Sequence, residues 1–142
     1  MMKTVKKGFT LVELLFVMAI IAILAGFAIA NLKDSTKVAT QNSMKNDLKN
    51  AISLEQTSFA ANQAYLDATG TGNTEGILVG TDKDTNVMNF TISKGNSLTA
   101  VADTDCGDGT LGFTVEVTNS TLPGKYQSFD SCANGTIQNT AI

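Results

Sequence analysis

The chain has 142 residues, 43 % hydrophobic and 16 % charged, with a formal net charge of −3 and neither histidine nor arginine. That length holds one modest domain beside a long apolar segment, and past Gly8 seven lysines face thirteen acids, about −6. An acidic body argues against a broad nucleic-acid surface, and no specific nucleic-acid site is evident; the missing histidine removes the commonest general base and transition-metal ligand. With no recognisable triad spacing either, no enzyme and no cofactor are expected.

Residues 1–8, MMKTVKKG, form a basic leader whose Lys3, Lys6 and Lys7 hold this end in the cytoplasm by the positive-inside rule. Gly8 to Ala30 follows as GFTLVELLFVMAIIAILAGFAIA, with no polar side chain from Leu14 to Ala30. Glu13 is the only charge between Lys7 and Lys33. As an α-helix, the roughly 22 residues from Phe9 to Ala30 span about 33 Å, enough to cross a hydrocarbon core. A carboxylate there costs a few kcal/mol, so Glu13 asks for a named partner. Ala28-Ile29-Ala30 offers a nominal signal-peptidase site, but the apolar run exceeds the usual core of a signal peptide.

Lys7-Gly8-Phe9-Thr10-Leu11-Val12-Glu13-Leu14-Leu15 and the apolar run after it resemble the type III leader and helix start of bacterial type IV pilins and pseudopilins. The resemblance covers roughly the first 30 residues; the remainder matches only in general layout. It implies cleavage between Gly8 and Phe9 by a membrane-embedded prepilin peptidase, then N-methylation of the new Phe9 amine. It also implies an inner-membrane location before assembly, contact with an inner-membrane assembly machinery, and a self-partnered extracellular filament afterwards. In the bland reading Glu13 pairs with its own chain's amine and offsets the positive helix end. In the functional reading, which the resemblance supports, it pairs with the Phe9 amine of a neighbouring subunit, because an unpaired charge in an apolar bundle is expensive. Thr10 either tunes that assembly site or serves only the first helical turn.

Residues 31–68 continue the helix amphipathically. Val38, Met44, Leu48, Ala51, Ile52, Phe59 and Leu66 recur at steps near three and four, with lysines and acids between them as on a solvated face. No proline interrupts them, so one helix of about 55 residues is expected from Phe9 to the mid-60s. The resembled family often has a proline where this chain has Ala30, and its helix commonly unravels nearby in filaments; here either Gly26 is a softer weak point or the helix stays continuous. Tyr65, Phe59 and Phe9 suggest an aromatic path, but aromatics at helical spacing are usually packing.

Residues 70–80, rich in glycine and small polar side chains, read as a loop. Four strands follow, Val87–Lys94, Ser97–Ala102, Leu111–Asn119 and Lys125–Phe129, with Gly95-Asn96 joining the first two as a hairpin and Pro123-Gly124 turning into the last. Phe113, Val115 and Val117 alternate with polar residues, as on a strand buried on one side. Cys106 and Cys132 read as one disulfide in an oxidising compartment, resembling the disulfide-bounded loop of many pilins. Asp82, Asp84 and Asn86, and likewise Asp103, Asp105 and Asp108, lack the glycine and distal glutamate of an EF-hand, so solvated loop acids are expected and no metal is assigned. Three Asn-X-Thr triplets begin at Asn89, Asn119 and Asn134.

The expected fold is α+β: a long N-terminal helix packed on an antiparallel sheet of about four strands. The expected divisions are a leader at 1–8, an apolar helix at 9–30, an amphipathic half at 31–68 and a C-terminal β domain at 69–142. The expected function is a structural subunit of a type IV pilus. Its alternatives are a pseudopilin of a type II secretion system, a minor pilin, or a membrane-anchored binding module that does not polymerise.

Overall fold

The computed structural model describes residues 8–70, 76–133 and 135–139; the basic leader at 1–7 lies outside them. The chain divides into two units, residues 1–37 and 38–142. One helix, α1 (Leu11–Asn62), supplies the first unit's structure and opens the second. It passes through Gly26–Ala30 without a break. Glycine costs only about 1 kcal/mol inside a helix, and without proline every residue there keeps its N–H donor.

Fifteen large apolar side chains between Phe9 and Leu32 are exposed, none less than 53 %. They fall on every side of the helix, the distribution of a segment meant to be surrounded.

In the second unit α1 buries one stripe: Met44, Asp47, Leu48, Ala51, Glu55 and Ser58. The three-and-four spacing is that of the packing face foreseen from sequence, but two of its members are acids that were read as solvated. Val38 stands 51 % exposed, off that face. Leu66 is fully buried but lies beyond the helix, which ends at Gln63 in a left-handed turn (φ 57°). That turn sends the Gln63 N–H back to the Phe59 carbonyl at 2.8 Å and throws the chain onto the sheet.

Among the described residues, seven strands form two antiparallel sheets. The larger contains β1 (Ala68–Gly70), β4 (Asn96–Asp105), β5 (Leu111–Asn119), β6 (Tyr126–Asp130) and β7 (Ile137–Asn139), neighbours in that order. The smaller pairs β2 (Gly76–Thr81) with β3 (Val87–Ile92). Register explains the core: Leu98 lies opposite Val117 and Ala100 opposite Val115, so one face of β4 and β5 meets Met44 and Leu48 in a single cluster with Phe113, Phe90 and Ile92. Phe59 stacks on Tyr65 (centroids 4.7 Å), while Tyr65 meets Phe113 (4.9 Å) and Phe113 meets Phe129 (5.4 Å) at a tilt, extending that packing along the sheet.

Three sequence expectations change. Residues 76–80 of the supposed loop belong to the strand Gly76–Thr81; 71–75 lie outside the described residues. Gly95-Asn96 is not a hairpin turn, since β3 pairs with β2 while β4 pairs with β1 and β5. The cause is the helix. Asp47 accepts the Ser93 N–H (2.8 Å), the Ser93 hydroxyl (2.9 Å) and the Asn96 amide (2.6 Å), pinning the crossover between sheets. Gly95, at φ 86°, turns the chain there. Finally, Lys125–Phe129 is not the last strand, because β7 follows it.

Candidate functional site

The helix begins at Leu11, and the residue before it decides how. The Thr10 hydroxyl accepts the Glu13 N–H at 3.2 Å, while Glu13 Oε2 accepts both the Thr10 N–H and the Thr10 hydroxyl at 2.9 Å. This reciprocal arrangement is a capping box, Thr-x-x-Glu, satisfying two donors that a helix start otherwise leaves unpaired. Glu13 thus has a local duty. Its second oxygen, Oε1, takes no hydrogen bond among the described residues, and Glu13 itself is exposed among exposed apolar neighbours. Phe9 is 87 % exposed, and its nitrogen is still the peptide nitrogen joined to Gly8. Cutting that bond creates an ammonium four residues, about 6 Å along the axis, before Glu13.

At Gly8, among the described residues, nothing lies within 4 Å of where a Cβ would stand, as is also true of Gly26. Gly8, Phe9, Thr10 and Glu13 therefore lie together at one helix start, within the first unit. Cys106 and Cys132 belong to the second, where a disulfide joins them and fastens the β4–β5 turn to the chain after β6 (Cα–Cα 5.1 Å). Gly112 is required beneath that bridge, because a Cβ would stand 2.6 Å from Cys132 Sγ and 2.8 Å from Cys106 Sγ.

Of the acidic groups, Asp82 is not a solvated loop acid: it is 5 % exposed. Its carboxylate closes the β2–β3 turn by accepting the Asp84 and Asn86 N–H groups (2.9 and 2.8 Å) and the Asn86 amide (3.0 Å). Burial raises its pKa, but these donations, with Lys83, outweigh burial and hold it below the ordinary value. Asp108 is likewise held low by the Thr110 hydroxyl and N–H. Among the described residues no three acids or cysteines converge as metal ligands. Asn119 is 7 % exposed and donates its amide to Asn96 at 2.6 Å, so its triplet presents no free acceptor for a glycan. Asn89 is exposed, and Asn134 lies outside the described residues.

Sequence reading passed over the buried acids Asp47 and Glu55. Met44, Leu48, Ala51, Glu55 and Ser58 step by four, three, four and three, so that spacing alone places Glu55 on the packed stripe.

The family model described as the prokaryotic N-terminal methylation motif matches residues 3–29. No curated protein and no solved structure matches the chain. The chain thus carries the class III leader motif of type IV pilins, followed by a long apolar helix. Motif and helix together fit anchoring in the inner membrane before assembly, and the leader implies processing by prepilin peptidase.

Proposed function

We infer that the chain is a structural subunit of a type IV pilus, cleaved between Gly8 and Phe9, N-methylated on Phe9 and polymerised through residues 9–30. The observation that carries this reading is Glu13, an acid set in an otherwise apolar segment. Its capping duty occupies Oε2 and leaves Oε1 to a cation. The cation that every copy brings is the Phe9 ammonium. Pairing it with the Glu13 of a neighbour sets the axial offset between subunits, while lateral packing of the apolar helices drives assembly. The acidic second unit then faces solvent, where like charge keeps finished filaments apart.

The test is electron microscopy of sheared surface material, with mass spectrometry of its N-terminus. Filaments built of chains that begin at a methylated Phe9 support the proposal. A mature chain that begins at Met1, or a processed chain that stays monomeric in the membrane, overturns it and leaves a non-polymerising anchor.

A further inference from the structure

Where α1 ends, its last turns are stitched to the linker that follows. Ser58 donates its hydroxyl to the Ala64 carbonyl at 2.9 Å, and Glu55 Oε2 accepts the Leu66 N–H at 2.8 Å. Glu55 is fully buried, and its other oxygen, Oε1, has no hydrogen-bond partner among the described residues. Among the described residues, the charges that act on it are both negative: Asp67 from the linker and Asp103 from the irregular middle of β4. Both neighbours are committed to backbone geometry. Asp67 Oδ1 holds the Ala102 N–H at 2.8 Å, and Asp103 itself sits at φ 50° in the register shift between Val101 and Thr104. Tyr65, the remaining titratable group here, stacks on Phe59 and supplies no positive charge.

A buried carboxylate with one bare oxygen and two acidic neighbours favours the neutral acid. We propose that Glu55 is a proton-operated latch: protonated, it holds linker 63–67 against the helix end and the β4 irregularity, and losing its proton releases that linker. Burial is the chief cause, with Asp67 and Asp103 adding to it against the Leu66 N–H, and together they push the Glu55 carboxyl up to about 7. The latch therefore works across neutral pH, where ordinary carboxylates are already ionised. Gln63 makes the linker ready to move, since a non-glycine residue in the left-handed region holds its turn under strain.

The experiment is amide hydrogen exchange of Ala64, Leu66 and Ala68 in the full-length chain in detergent micelles, corrected for intrinsic exchange, from pH 5 to 8. The opening constant should rise roughly a hundredfold over that range in the wild type. In Glu55→Gln, which keeps an oxygen for Leu66 and cannot ionise, the profile should be flat. Asp103→Asn provides the check if that variant fails to fold: removing one negative neighbour makes the Glu55 proton leave more easily, so the Glu55 carboxyl titration followed by NMR should shift to lower pH. A flat wild-type profile, an unchanged slope in Glu55→Gln, or an unmoved Glu55 titration in Asp103→Asn overturns the latch. So does calcium abolishing the wild-type slope, which would make the acids a cation site.

Discussion

Replacing Glu13 separates its two duties, because they depend on different properties of one side chain. The capping box needs an oxygen that accepts from Thr10; pairing with an ammonium needs a negative charge. Glu13→Gln keeps the oxygen and loses the charge, whereas Glu13→Ala loses both. The cap is worth about 1 kcal/mol to the helix start. Leaving a neighbour's ammonium unpaired in an apolar bundle costs about 3–5 kcal/mol. At about 1.4 kcal/mol per tenfold, the second loss raises the subunit concentration needed for polymerisation between about a hundredfold and a few thousandfold. Both variants should insert into the membrane normally, and both should yield almost no sheared filament per inserted subunit. Thr10→Val, which removes the hydroxyl but not the charge, should lower the yield by less than tenfold. Wild-type filament yield from Glu13→Gln, with Glu13→Ala alone defective, refutes the pairing and leaves Glu13 a capping residue.

In the second unit Asp47→Ala strands the Ser93 N–H and the Asn96 amide beneath the crossover, at a cost of about 3–5 kcal/mol. Thermal melts of the full-length chain in micelles should show a drop of more than about 10 °C, given 4–8 °C per kcal/mol for a domain of this size. Gly112→Ala presses a methyl into the disulfide and should cost about 1–3 kcal/mol, a deficit read in the same melts. Removing the bridge by Cys106→Ser with Cys132→Ser, a sequence separation of 26, should cost about 3.5 kcal/mol on the chain-entropy estimate. Stability should also peak in mildly acidic solution. The contribution of Glu55 is complete below its ordinary value of 4.5 and is lost as pH rises through about 7, about 3 kcal/mol at most. Asp82 acts oppositely: its lowered pKa supplies stability above the ordinary Asp value, which is lost as pH falls through the folded one. Melting temperatures measured across pH should therefore be highest near about pH 5 and decline on both sides.

The elements legible in sequence are those with a strong period. Strand Leu111–Asn119 alternates, and its bounds are those read from the alternation; the helix was expected from Phe9 to the mid-60s and runs Leu11–Asn62. The strand Gly76–Thr81 was hidden because its glycines carry the composition of a loop. Gly80 is nevertheless required there, since a Cβ would run into the Phe90 ring. Its pairing with β3 was hidden too, because Gly95-Asn96 is good local hairpin chemistry, overridden by Asp47 reaching from 46 residues away. At the helix start, the assembly candidates lie within one turn of chain and were readable as a motif. Glu55 was not, because its meaning depends on Leu66, Asp67 and Asp103, which only the folded chain gathers.

The apolar segment also bears on what kind of assembly the chain can make. Fifteen exposed apolar side chains at about 2 kcal/mol each amount to about 30 kcal/mol of unburied surface, beyond the whole stability of an ordinary domain. Lipid tails cover such surface but offer Glu13 no cation; in the proposed assembly a second processed copy covers it and brings one. With the amine about 6 Å before the carboxylate along the axis, two parallel helices that shift to join one such pair move the reciprocal pair farther apart. The contact is then heterologous, each subunit giving its amine in one direction and its carboxylate in the other. A heterologous contact with an axial rise does not close into a ring, so the proposed pairing, repeated, gives a helical filament.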